Sequence, residues 1–442
     1  MTPPFGHDEA YYRSCAQKIV EAKPVSVQIT GGEPLIVWNK VKPAIQCLLD
    51  AGICVSINTN ATLVTEEIAT FLAENSIDAF VSFPCSRPEV FDGIVNCSGA
   101  YERALNGIKR LITAGARVSL NMVVTKLNFP YIYETAEFVC HNLKLSYFSA
   151  TKASFPNNAS SEFRKQMLSL DEFNEMLNIL MKVKRDFGIR VDSAWVYSLC
   201  GFACKDTMEQ FGFNRKCSCG KYSFVLDSDG NMKACGCDSR SFGNIAEDTF
   251  ATAIGKMTQW QDASMLPPEC KACSALQYCG GGCRSEAFSA YGSYCALDST
   301  ANPHDFILPV LESPNLQEDN LDMAFSCPGK VRFVEENGFV RVSYRSNYEF
   351  ITREAAMFLQ NNQCFTGKQL YEVTLSAKSA VQQWLEKMCS KKLLVRCNEQ
   401  EPDVCVVRES RFWLSATPYI ENGIPQYVID YASADHNSKR YI

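Results

Sequence analysis

The sequence predicts an α/β protein in which repeated strand–helix units build a parallel sheet, either open or closed into a barrel. Two blocks follow it: a cysteine-dense stretch suited to metal, and a small module of one hairpin and three helices. Three observations support this division. Short β-branched apolar runs alternate with amphipathic helical patterns through residues 1–195. Setting Cys237 aside as a spare, eight cysteines fall within the 79 residues from Cys217 to Cys295. A polar, proline-bearing connector at 298–328 then precedes a pattern of different period.

In chain order, strands are expected at 25–30, 53–59, 77–83, 117–125, 143–150 and 189–192. Helical patterns separate them at about 36–51, 62–75, 99–115, 131–142 and 170–187, and Tyr12, Cys15 and Ile19 form the apolar stripe of an N-terminal helix. Gly52 and Gly115 stand where helix C-caps belong. Sites in such sheets lie at the carboxyl ends of the strands. Asp229-Gly230 predicts a turn between strands at 222–226 and 232–235. Past the connector, Asn337-Gly338 joins strands at 331–334 and 339–344. Helices are expected from near Thr352, after Thr366 and after Ser376, the last presenting Val381, Trp384, Leu385 and Met388 on one face, before a closing strand at 393–396. The tail 401–442 carries no assignable pattern.

A net charge of −6 argues against a surface that coats nucleic acid. No apolar run approaches the ~20 residues of a membrane span, and the N-terminus has neither the basic nor the apolar region of a signal peptide. The expectation is a cytoplasmic protein with no nucleic-acid or membrane partner. In a reducing compartment, many of the 22 cysteines more readily hold metal than form disulfides. Those outside the dense stretch, such as Cys47, Cys54, Cys140 and Cys389, lie in apolar patterns and read as small buried hydrophobes.

Two motifs carry chemistry. Thr30-Gly31-Gly32-Glu33-Pro34 ends the first strand. It reads either as a plain turn with Glu33 at a helix start, or as a backbone that a ligand can approach, with Glu33 and open carbonyls receiving an ammonium group. The second motif is Cys217, Cys219, Gly230-x4-Cys235, Cys270-x2-Cys273-x5-Cys279-x3-Cys283 and Cys295, with no histidine among them. Thiolate-only ligation on short loops suits iron–sulfur clusters or structural zinc, and eight thiols divide into two four-thiolate sites.

Together these motifs resemble radical S-adenosylmethionine enzymes with a SPASM extension, over about residues 1–300. The resemblance implies a partial (β/α)6 TIM-like barrel lacking its first strand (1–195), a SPASM domain (196–300) and a winged-helix-like module (329–400). It implies that Gly31, Gly32, Glu33 and Pro34 hold the amino group of S-adenosylmethionine, while Ser82 and Asn121 contact its ribose or carboxylate. Cys217, Cys235 and Cys283, with Cys219 as fourth ligand and Cys237 or Cys204 in reserve, would hold one auxiliary [4Fe–4S] cluster. Cys270, Cys273, Cys279 and Cys295 would hold the other, with Gly280-Gly281-Gly282 wrapping cluster sulfides. Cys200-x3-Cys204 is expected to be structural or a reserve ligand. The family's Cys-x3-Cys-x2-Cys loop, which binds the radical [4Fe–4S] cluster, does not occur in the sequence. The expectation is an N-terminus truncated by one strand and that loop, the competing reading being a degenerate barrel. A complete enzyme would abstract a hydrogen atom from a peptide or protein substrate, recruited through a leader peptide by the C-terminal module. A flavodoxin or ferredoxin would supply the electron. A non-catalytic scaffold and radical chemistry on a small molecule are the alternatives.

Overall fold

Parallel strands need crossover connections, which helices supply; the six runs form one sheet in the order β1-β2-β3-β4-β5-β6, with β2 to β6 paired in parallel. The strands are β1 Ser26–Ile29, β2 Cys54–Thr59, β3 Asp78–Ser82, β4 Val118–Val124, β5 Tyr147–Lys152 and β6 Arg190–Asp192. The computed structural model that shows this describes residues 7–303, with breaks at 23, 25, 155–159, 213–214, 222 and 263; residue 306; 321–397, with breaks at 328–330, 337–338, 345–346, 363, 375–377 and 391–392; and three residue pairs between 410 and 425. It divides into two compact units, one of Met1–Lys18, Gln28–Cys47 and Ser56–Pro309, the other of Ile19–Val27, Leu48–Val55 and Val310–Ile442.

The helices of the sheet region are α1 Glu9–Ala22, α2 Trp38–Asp50, α3 Glu66–Glu74, α4 Pro88–Val95, α5 Ala100–Thr113, α6 Ile132–His141, α7 Ser161–Lys165 and α8 Leu170–Phe187. Local chemistry sets their ends. A capping box of Ser169 and Glu172 opens α8, and left-handed Gly188 (φ 65°) closes it. Gly107 has a packing role: a Cβ there would lie 1.9 Å from the Ala61 carbonyl oxygen, so only glycine lets α5 approach that loop. The buried β-strand residues Ile57, Val81, Leu120, Met122, Phe148 and Val191 meet the helices in the core of this region.

Two expectations need correction. The fifth strand begins four residues later than its apolar run, because Leu143 and Leu145 donate backbone N–H groups to Phe138 and Val139 and finish the end of α6. Helix α4 was not expected; Pro88 starts it and left-handed Asn96 ends it. Cys15 is buried as expected, whereas Cys47, Cys54, Cys140 and Cys389 are only half-buried.

Beyond the sheet, β7 Val225–Leu226 and β8 Met232–Lys233 pair across a turn at Gly230 (φ 82°). After a short β9 Ala324–Ser326, which pairs with Phe365–Thr366 and Val395–Arg396 in a sheet of its own, the expected C-terminal hairpin is part of a four-stranded sheet: β10 Arg332–Glu336, β11 Phe339–Tyr344 and β12 Asn347–Thr352 run antiparallel in turn, and Ser410–Arg411 adds parallel to β10. Asn337-Gly338 lies outside the described residues. Thr352 caps helix Arg353–Asn361, and helices Gly367–Thr374 and Lys378–Ser390 follow as expected. Phe325, Phe333, Val342, Leu370, Leu385 and Met388 share this module's core. Among the described residues no helix is long and apolar enough to cross a membrane.

Candidate cofactor and metal sites

The Gly-Gly-Glu-Pro turn sits at the carboxyl end of β1. Gly31 adopts φ 141° and Gly32 faces open space, with nothing within 4 Å of where a Cβ would stand. The backbone is therefore approachable, as a ligand-binding turn requires. Pro34 opens a short 3-10 helix that Glu33 caps through Leu35 N (3.1 Å). The Glu33 carboxylate also accepts from Thr59 Oγ1 (2.8 Å) and Asn60 N (2.7 Å), tying the end of β2 to the turn. Three donors leave a carboxylate with spare lone pairs, so this anchoring role and an ammonium contact are compatible.

Strand register brings Ser82 beside Asn121, Asn121 beside Ser149, and Ser149 beside Asp192. Parallel partners in register share a face, so these four polar residues form a row that runs from the carboxyl end of β3 through the middle of β4 and β5 to the carboxyl end of β6. Thr151 Oγ1 donates to Asn121 Oδ1 (3.0 Å), and Arg215 bonds Asp192 and the Ser193 carbonyl. Asn58 Oδ1 on β2 is buried with no hydrogen-bond partner. A buried acceptor without a donor costs about 1–3 kcal/mol, and a bound ligand would recover it. Burial, then the charge of Asp192, pushes the Tyr147 phenol up to about 12. These features fit a polar nucleoside and amino-acid ligand.

The cysteines converge in two groups. In the first, Cys219 lies within hydrogen-bonding reach of Cys217 and Cys235, and Cys235 within reach of Cys237 and Ser285. Cys283 stands close enough for the charge of Cys217 to act on it, and its own charge reaches Cys237. Hydrogen bonds from Cys219 hold Cys217 and Cys235 below the usual thiol range. Burial pushes Cys283 well above that range. Cys204, expected in reserve here, instead contacts Thr207 Oγ1 (3.1 Å) at the start of helix Lys205–Phe211.

In the second group, Cys270, Cys273 and Cys279 stand within each other's electrostatic range. Burial raises Cys270 to about 11. The three glycines Gly280, Gly281 and Gly282 are all left-handed (φ 68°, 83° and 74°). A Cβ at Gly281 would lie 3.9 Å from Cys270 Sγ, and one at Gly282 would lie 1.7 Å from Asp298 Oδ2. Asp298 is a buried hub, accepting from Cys283 N (2.9 Å), Ser198 Oγ (2.9 Å) and Thr300 N (2.8 Å). Arg284, also buried, donates to the carbonyls of Gly281, Tyr294 and Ala296. Cys295 is not drawn into this group: it is exposed, and its Sγ contacts the Ser264 carbonyl at 3.5 Å. Among the described residues no three candidate ligands are already at metal-binding spacing. The donor chemistry nonetheless fits thiolate-ligated metal, since each group gathers soft sulfur ligands without imidazole.

A buried ion pair joins the sheet to the second half of this region. Lys152 Nζ at the end of β5 meets Glu286 Oε1 at 2.7 Å and Ser299 Oγ at 3.1 Å, with the two charged side chains 3% and 2% exposed. Glu286 lies on helix Arg284–Tyr291, one turn from Cys283.

Residues 11–139 match the Radical SAM superfamily. This segment is similar to radical SAM domains. The matched family is one of S-adenosylmethionine and [4Fe–4S] chemistry. An AdoMet-dependent heme synthase of Oleidesulfovibrio alaskensis is 23% identical over 60% of the chain and 72% of its own length. The radical SAM cyclopropyl synthase TigE of Paramaledivibacter caminithermalis is 22% identical over 66% and 61% of the two chains. A cysteine-type anaerobic sulfatase-maturating enzyme of Clostridium novyi is 25% identical over 52% and 63%. The fold is also that of solved structures. Native anSMEcpe with bound AdoMet and a Kp18Cys peptide superposes with TM-score 0.54 at 17% identity, covering 67% of this chain and 85% of that one. Streptococcus suis SuiB bound to precursor peptide SuiA superposes with TM-score 0.51 at 18% identity, covering 67% and 69%.

Beside the candidate residues read from the sequence stand several that it did not single out: Asn58, Thr59, Ser149, Asp192, Arg215, Lys152 and Glu286. Alternation within β2, β4 and β5 marks the inward polar positions. No local signal identifies Lys152 or Glu286, because their partnership spans 134 residues.

Proposed function

We propose that the chain is a radical SAM protein of the SPASM type that modifies a peptide, with two auxiliary clusters on the converged cysteines. The single observation that carries this reading is the gathering of Cys217, Cys219, Cys235 and Cys283 in one group and of Cys270, Cys273 and Cys279 in another. Auxiliary [4Fe–4S] clusters, when bound, supply one-electron transfer. The chain's own part is to bind and orient. Gly31, Gly32 and Glu33 receive the amino group of S-adenosylmethionine, the row from Ser82 to Asp192 receives its polar remainder, and Asp298 and Arg284 hold the cysteine loops in place.

The residues for the radical cluster do not fit. The sequence contains no Cys-x3-Cys-x2-Cys, and these 442 residues offer no three-thiolate loop beside the Gly-Gly-Glu-Pro turn. An in-frame Cys-x3-Cys-x2-Cys upstream of Met1 in the genome supports an enzyme; its absence favours a scaffold. Peptide as substrate is supported by β12, which lies at the edge of its sheet and could take an extended peptide as an added strand. The heme synthases among the relatives favour a small molecule as the second reading.

After anaerobic reconstitution, about eight irons per chain are expected, in line with two four-iron clusters; zinc alone in the purified protein would end this reading. Glu33→Ala should weaken S-adenosylmethionine binding by about tenfold or more, the effect of losing a charged hydrogen-bonding partner. Titration calorimetry measures it, and an unchanged affinity removes Glu33 from the site.

A further inference from the structure

We propose that Cys364 and Cys397 form a reversible disulfide, a redox-sensitive brace within the C-terminal module. The pair stands apart from the cofactor and metal sites, and the proposal holds whether or not any cluster is bound.

The two cysteines are 33 positions apart in the chain, yet their sulfurs lie 2.9 Å from each other and both residues are exposed. Short strands bring them together. Cys364 directly precedes strand Phe365–Thr366 and Cys397 directly follows strand Val395–Arg396, and both strands pair antiparallel with β9. The Cys397 N–H also donates to the Ala324 carbonyl (2.9 Å), which holds the residue against β9 past the end of its own strand. A disulfide bond is ~2.05 Å long, so closing this one takes a relative movement of about 0.9 Å. Cys327 and Cys389 of the same module are half-buried against its core and less open to a reagent. In a reducing compartment such a pair rests as two thiols, and a disulfide that forms there is usually catalytic or redox-sensing rather than structural.

The oxidant is a low-molecular-weight disulfide. One cysteine, as its thiolate, attacks a sulfur of that disulfide, forms a mixed disulfide and expels one small thiolate. The other cysteine then attacks the protein sulfur of the mixed disulfide, forms the Cys364–Cys397 bond and expels the second small thiolate. Each cysteine gives up one proton, the two protein sulfurs give up two electrons, and the small disulfide is reduced to two thiols. The new bond ties the ends of a loop that carries helices Gly367–Thr374 and Lys378–Ser390, whose Leu370, Leu385 and Met388 share the core with Phe325 of β9. Closing a loop of this length restricts the unfolded chain and so favours the folded module.

Two measurements on the full chain test this. First, reduced wild-type protein is treated with oxidised glutathione, and its cysteines are mapped by mass spectrometry without reduction. A Cys364–Cys397 link that dithiothreitol reverses is expected, while in Cys364→Ser the glutathione should stay on Cys397. Glutathione retained on both cysteines of the wild type, or links from either one to a different cysteine, would overturn the proposal. Second, amide hydrogen exchange is compared before and after oxidation. Exchange in residues 367–390 should slow by about tenfold or more in wild type and stay unchanged in Cys364→Ser. A linked pair without slower exchange would refute the brace.

Discussion

Cys270→Ala combined with Cys273→Ala is expected to halve the iron content, from about eight to about four per chain, and to unfold the segment around the lost site. The segment's own secondary structure is short. Cys270 lies in the four-residue helix Pro268–Lys271, and Cys279 ends the four-residue helix Leu276–Cys279. Helices this short are not stable by themselves, since nucleation is unfavourable and propagation never offsets it. The three left-handed glycines that follow lose more backbone entropy than any other residue would. Binding free energy at such sites is folding free energy. Limited proteolysis should therefore cut between residues 262 and 283 in the double variant and spare wild type. An iron count still near eight would show that these two thiols hold no cluster.

Lys152→Met is expected to destabilise the protein by about 3–5 kcal/mol, the cost of leaving one member of a buried pair uncompensated. Among the described residues, Glu286 would keep Ser299 as a neutral partner. The nearly isosteric change keeps the volume and removes the charge. Because the penalty comes from the orphaned carboxylate rather than from lost attraction, Lys152→Met combined with Glu286→Leu should recover most of it. Denaturant unfolding of the two variants tests this. Equal stability of Lys152→Met and wild type would mean that the pair does not form in the folded protein.

Much of the fold can be read in the residues. The period-two runs of β2–β4 and the capped pattern of α8 are local, and local chemistry decides them. The fifth strand was misplaced because its apolar run contains both the end of α6, where Leu143 and Leu145 still satisfy helix carbonyls, and the true strand. Hydrophobicity alone does not separate a buried turn from a buried strand. The strand Asn347–Thr352 was missed because it runs directly into the helix that Thr352 caps.

By itself the sequence determined which chemistry is present: the glycine–glutamate turn, the thiols and their spacing, and the polar residues of the strands. Spacing constrains ligands that share a loop, because a few residues of backbone can reach only so far. Only the tertiary structure decided which distant groups meet. It gathered Cys270, Cys273 and Cys279, set Ser82, Asn121, Ser149 and Asp192 in one row, and buried Lys152 against Glu286. Contacts between residues scores of positions apart are fixed by strand register and packing of the whole chain, and neither quantity is written in any local pattern.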